Sequence, residues 1–218
     1  MNFTDIMLDL ETLGTGNNAA IIQIGAVAFN ADGDNASLWT NSPDMLASLG
    51  QGFRANVDLA SSRHPGVIDA STVEWWLQQS QEARDSITKP EGRLELGAAL
   101  EAFVRWVYSI TVKVRDLRMW SNGPTFDETI LRAAFARYNA PLPISFRGSR
   151  CCRTMIELAE MYGWNRKEAT RLAPDDIVKH DALGDAVFQA RSVVSQRHFL
   201  RPAAKTAVPT SSGLGEIT

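Results

Sequence analysis

Asp9 and Glu11 stand one residue apart in the apolar stretch I-M-L-D-L-E. In a strand, the period of two puts both carboxylates on one face and Leu8 and Leu10 on the other. An inward-facing acidic pair is costly unless a cation cancels its charge, although a solvated edge strand explains an isolated D-x-E as well. Asp127 lies in W-S-N-G-P-T-F-D-E, where a strand ends, the chain turns at Gly123 and Pro124, and a helix begins. By itself it reads as a first-turn acid offsetting the helix dipole. His180 and Asp185 belong to H-D-A-L-G-D-A-V, at the start of the last expected helix. Asp181, four residues before Asp185, competes for the same helical face; we assign Asp181 to the cap and Asp185 to the ligand set.

Four carboxylates, Asp9, Glu11, Asp127 and Asp185, suit phosphodiester hydrolysis with two cations roughly 3.5 to 4 Å apart, one serving the attacking water and one the leaving oxygen. A nearby group must accept the water's proton near neutral pH, and histidine, with an ordinary pKa of roughly 6.5, is the side chain for it. His180 is placed to serve. Cys151 and Cys152 are adjacent and supply no four-ligand zinc site, which leaves hard divalent cations, Mg²⁺ or Mn²⁺, on oxygen ligands.

The elements that must carry these residues are legible in outline. Strands are expected at Ile6 to Leu10 and Ile21 to Phe29, a third near Ser37 to Thr40, a fourth at Leu117 to Trp120 and a fifth at Ile144 to Arg147. Ser71 and Glu74 form a capping-box pattern opening a helix whose apolar side includes Val73, Trp76 and Leu77. Further helices are expected at Leu94 to Tyr108, from Pro124 through Phe135, at Arg153 to Tyr162 and at Asp181 to Gln196. Early strands followed by alternating helices and strands imply an α/β domain with a mixed sheet. A doubly wound nucleotide-binding fold would need a glycine-rich turn into a helix after the first strand, and here strand leads to strand.

The chain of 218 residues, with a hydrophobic fraction of 44%, suits one domain over 1–200, followed by a loose, unpatterned tail at 201–218. No apolar run approaches the roughly 20 residues needed to cross a bilayer, and the amino terminus lacks a signal-peptide pattern; no membrane partner and a cytoplasmic location are expected. The formal net charge of −3 is unevenly spread: the first hundred residues hold 5 Lys and Arg against 13 Asp and Glu, the remainder 17 against 12. The later excess includes Arg147, Arg150, Arg153, Arg166, Lys167, Arg171 and Lys179, which can meet phosphates or simply decorate solvated helices.

Taken in order, D-L-E, F-D within N-G-P-T-F-D, and H-D-A-L-G-D resemble the three motifs of the DEDDh exonuclease superfamily. With D-L-E-T-L-G-T, I-I-Q-I-G-A-V-A-F and T-V-E-W-W-L-Q-Q-S, the resemblance narrows to phage DexA-type and exonuclease VIII-like enzymes over residues 5 to 197. It implies a ribonuclease H-like mixed five-stranded sheet flanked by helices. It also implies hydrolysis of terminal phosphodiester bonds from a free 3′ end, releasing nucleoside 5′-monophosphates. His180 would be the general base, and Glu11 a metal ligand also near the 3′ hydroxyl. Asp181 departs from the small or apolar residue expected inside the third motif, at a variable position. The implied partner is nucleic acid with a free 3′ end, DNA ahead of RNA, in a bacterial or phage-infected cell; the resemblance leaves room for a homodimer.

Substrate contacts are expected from Thr12 and Leu13 beyond the acidic pair, from Phe126 and Trp76 as stacking surfaces, and from the Asn122 amide. Trp120 reads as packing. Two other functions remain open at this level: a ribonuclease H-type endonuclease, which would cut a closed circle, and a catalytically dead nucleic-acid-binding module, which need not retain all four acids and the histidine.

Overall fold

A computed structural model of the chain describes residues 2–33, 35–88, 92–165 and 177–206. Five strands form one sheet: β1 (Asp5–Thr12), β2 (Ile21–Phe29), β3 (Gly52–Asn56), β4 (Arg118–Ser121) and β5 (Ser149–Cys151), in the order β3-β2-β1-β4-β5. The first three are antiparallel neighbours, whereas β4 and β5 run parallel to β1. Helices α1 (Ala36–Thr40) and α2 (Pro43–Ser48) lie between β2 and β3. Between β3 and β4 come α3 (Ala70–Leu77), α4 (Gln81–Thr88) and α5 (Leu96–Ile110), and α6 (Asp127–Arg137) joins β4 to β5. The chain then forms α7 (Cys152–Met161) and α8 (Ala182–Thr206).

Alternation along β1 sorts its side chains between two cores. Ile6, Leu8 and Leu10 join Leu100, Phe103 and Val107 of α5 and Ile130, Leu131 and Phe135 of α6. Met7 faces the other way, with Trp120 and with Leu183, Ala186, Val187 and Ala190 of α8. Asp9 and Glu11 therefore share the α8 face, as the period of two predicts. α8 lies hard against the sheet because β2 offers a glycine there: a Cβ on Gly25 would come within 2.1 Å of the Ala182 backbone. Gly25 is opposite Asp9 in the β1–β2 register, and Gln23 is opposite Glu11.

Several expected boundaries are corrected. The stretch Ser37 to Thr40 is helical, within α1, because the Asn35 amide closes the preceding turn onto the carbonyls of Asn30 and Gly33 and Leu38 alone of α1 is buried. The third strand is β3, where Ala55 enters the core. Ile144 also enters the core, but the fifth strand forms five residues later, after a 3₁₀ turn at Phe146–Gly148. The capping box at Ser71 is not formed; Asp69 is the N-cap residue, and its carboxylate accepts the Thr15 N–H at 3.2 Å instead of capping. Of the three apolar residues expected to bury on α3, Trp76 alone does so, and Leu77 is exposed. The last helix continues past Gln196 to Thr206; residues 207–218 of the expected tail, and Arg166, Lys167 and Arg171, lie outside the described residues. Among the described residues no helix is long and apolar enough to cross a membrane.

Candidate active site

The acids converge where the carboxyl end of β1 meets the amino ends of α6 and α8. Glu11 and Asp127 are buried, at 8% and 4% exposure, while Asp9 and Asp185 are part-buried. Ligand atoms of Glu11, His180 and Asp185 lie within 4.8 Å of one another. Asp127, in the first turn of α6, reaches across to β1, where its Oδ1 accepts the Leu10 N–H at 3.2 Å. Asp9 Oδ1 accepts from Gln189 Nε2 at 2.7 Å. Gln189 follows Asp185 by one helical turn, so both project from the same face of α8 toward β1.

Electrostatics mark the cluster as short of positive charge. Burial, and then repulsion from Asp185, Asp181 and Asp127, pushes Glu11 up to about 8 from an ordinary 4.5. Burial likewise raises Asp127 to about 7 from 3.8, against the opposing pull of the Leu10 N–H, its own N–H and Arg153. Asp9 is raised well above the usual carboxylate range by burial and by the charges of Asp127, Glu11 and Asp185. Asp185 is raised by burial in spite of the His180 N–H. Gln189 Oε1 is buried beside Asp9 without a hydrogen-bond partner among the described residues. Carboxylate oxygens and an unpartnered amide oxygen form a donor set that fits hard divalent cations.

The segment ahead of α8 is anchored from three elements. Gln23, fully buried on β2, accepts the Ala182 N–H through Oε1 at 2.6 Å and donates to Asn56 Oδ1 at 2.7 Å and to the Ser86 carbonyl at 3.2 Å. Asp181 Oδ2 accepts the Gly184 N–H at 3.0 Å, which is the cap the sequence predicts, and also pairs with Arg54 at 2.5 Å. His180 adopts a left-handed backbone, φ 62°, with its N–H donated to Asp185 Oδ2 at 3.0 Å and its carbonyl accepting from Ser86 Oγ at 3.2 Å. Gln23, Arg54 and Gln189 are absent from the sequence reading. A turn's spacing from Asp185 is the signal that could have found Gln189; nothing local marks the other two.

Beside the acids opens a cavity of about 420 Å³ lined by Glu11, Thr12, Ser71, Thr72, Trp75, Trp76 and Phe126, among others. It brings together Thr12, Phe126 and Trp76 of the expected substrate contacts. Leu13 is turned away and packs against the cluster of Ile22, Trp76, Ala83 and Ile87. Asn122 is exposed in the turn after β4. Trp76 is only 5% exposed and donates its indole N–H to the Thr12 carbonyl at 2.9 Å, so the ring with free surface is its neighbour Trp75, at 42%.

A family model described as a 3′-5′ exoribonuclease Rv2179c-like domain matches residues 4–196. The chain belongs to this family. It is a 3′-5′ exonuclease with the ribonuclease H-like fold. The chain is also similar to an exodeoxyribonuclease of Enterobacteria phage T4, 26% identical over 91% of this chain and 90% of the phage protein. Among solved structures it resembles cell-death related nuclease 4, at a TM-score of 0.56 and 15% identity over 90% of this chain, while spanning 63% of that protein's chain. It resembles equally the nuclease domain of 3′hExo, a DEDDh family member bound to rAMP, at a TM-score of 0.56 and 13% identity over 90% of this chain and 92% of that one.

Proposed function

We propose that this exonuclease removes nucleotides from the 3′ ends of single strands, DNA ahead of RNA, releasing nucleoside 5′-monophosphates. The observation that carries the reading is the convergence of Glu11, His180 and Asp185 within 4.8 Å beside an aromatic-walled cavity of nucleotide size. Similarity to the phage exodeoxyribonuclease along nearly the whole chain favours DNA. RNA is the second reading, favoured by the family's description.

Asp9, Glu11, Asp127 and Asp185 would hold two divalent cations, Mg²⁺ or Mn²⁺. Bound there, the cations supply activation of the attacking water and stabilise charge on the leaving 3′ oxygen. An imidazole nitrogen of His180 takes the proton from that water. Glu11, at the border between acids and cavity, holds the terminal nucleotide's 3′ hydroxyl, while Thr12, Trp75 and Phe126 bound its sugar and base. Gln189 fixes the orientation of Asp9 through Oδ1 and would leave the other carboxylate oxygen for a cation.

The test is degradation of matched, end-labelled DNA and RNA strands alongside a closed single-stranded circle. Faster loss of linear DNA with an intact circle is expected. Faster loss of RNA establishes the second reading, and cutting of the circle overturns exonucleolytic action in favour of an endonuclease.

A further inference from the structure

His180 is fixed at its backbone and nearly free at its ring. Its N–H is held by Asp185 and its carbonyl by Ser86, but its imidazole has no hydrogen bond to the described residues. A ring nitrogen lies within 4.8 Å of carboxylate oxygens of Glu11 and Asp185, and the ring packs on indoles: Trp75 stands edge-to-face at 5.0 Å between centroids and 84° between planes, and Trp76 lies at 6.1 Å. The two indoles are themselves edge-to-face at 5.2 Å. Their helix is tied to the end of β1 by the Trp76 indole on the Thr12 carbonyl and by the Asp69 N–H on the Leu13 carbonyl, at 2.7 Å. A rigid path therefore runs from the residue after Glu11 through Trp76 and Trp75 to the His180 ring. Trp75 also lines the cavity assigned to the terminal nucleotide.

We propose that Trp75 is a positioning residue that sets the rotamer of the His180 imidazole, so that filling the cavity beside Trp75 steadies the proton acceptor. The inference rests on the reading of His180 as general base. With no hydrogen bond to the described residues, the imidazole keeps its aim largely through packing, because rotation about its side-chain bonds leaves the fixed backbone undisturbed. Loss of the Trp75 ring opens that rotation, and displacement of a proton acceptor by about 1 Å costs on the order of 10- to 100-fold in turnover. A ring that only stacks the substrate's base behaves differently, since its loss weakens ground state and transition state alike and raises KM at constant kcat.

The experiment is a double-mutant cycle on the full chain with Mg²⁺ and a linear single strand, measuring kcat, KM and the pH profile for Trp75→Ala, Trp75→Phe, His180→Ala and the double variant. Expected are a fall of about 10-fold or more in kcat for Trp75→Ala, a shallower rise of kcat with pH, and recovery in Trp75→Phe. In the His180→Ala background, Trp75→Ala should then change kcat by less than about 2-fold, because both losses act through one group. Unaltered melting of Trp75→Phe and Trp75→Ala separates positioning from damage to the fold. Raised KM with intact kcat in Trp75→Ala, or penalties that multiply in the double variant, overturns the inference alone. Wild-type kcat and pH profile in His180→Ala overturn the reading of His180 and the inference with it.

Discussion

Replacing Glu11 with glutamine should stabilise the cation-free protein at alkaline pH while abolishing its catalysis. In the folded chain Glu11 titrates near 8, against 4.5 when unperturbed, chiefly because burial disfavours its charged form. Between those values the folded chain keeps a proton that the unfolded chain has released, so stability falls as pH rises and the loss is complete near pH 8. Each pH unit in that window costs up to about 1.4 kcal/mol, so the step from pH 5 to pH 8 costs on the order of 4 kcal/mol. Glutamine has no proton to lose. In chelator, Glu11→Gln should match wild type near pH 5 and melt higher at pH 8 by roughly 10 °C, given about 2 to 4 °C per kcal/mol for a domain of this size. Added Mg²⁺ should reverse the order, because the cation offsets the charge of wild type and finds one ligand fewer in the variant. Thermal melts of both proteins across pH 5 to 8, with and without Mg²⁺, are the assay. Parallel curves in chelator refute the buried-charge account of Glu11.

Alanine at Asp9, Glu11, Asp127 or Asp185 should each nearly abolish turnover in a folded protein, and near-normal activity in any one removes that residue from the ligand set. Chelator should silence the enzyme and Mg²⁺ or Mn²⁺ restore it, whereas Ca²⁺, larger and less strict in geometry, should support binding without efficient cleavage; full activity in chelator overturns the mechanism. His180→Ala should cost roughly 10² to 10⁴ in turnover and flatten the rise of activity through the pH range where histidines titrate, with cation affinity little changed in calorimetry. Gly25→Ala should destabilise by about 3 kcal/mol or more in denaturant melts, since its Cβ would collide with the Ala182 backbone; a wild-type midpoint contradicts the close approach.

The placement of Asp9, Glu11 and Asp127 was readable because it follows from short-range geometry. A period of two puts Asp9 and Glu11 on one face of β1, and the turn after β4 delivers Asp127 to a helix start. Spacing alone left Asp181 and Asp185 competing for one helical face, and the fold separates them, Asp181 capping α8 and Asp185 facing the cluster. The order of the three motifs, read as a resemblance, agrees with the family match over residues 4–196. Less legible were segments whose conformation is decided by neighbours: Ser37 to Thr40 has strand-like residues yet coils into α1, and the fifth strand begins only where β4 offers a partner at Met119 to Ser121. The positioning contacts were invisible for the same reason. Gln189 meets Asp9 across 180 residues, Gln23 meets Ala182 across 159, and Arg54 meets Asp181 across 127. Sequence likewise cannot tell Trp75 from Trp76, adjacent and chemically identical, until the helix rotates one indole into the core and leaves the other on the cavity wall. Local periodicity fixes which face a residue occupies; sheet register and helix packing, which depend on the whole chain at once, decide what that face meets.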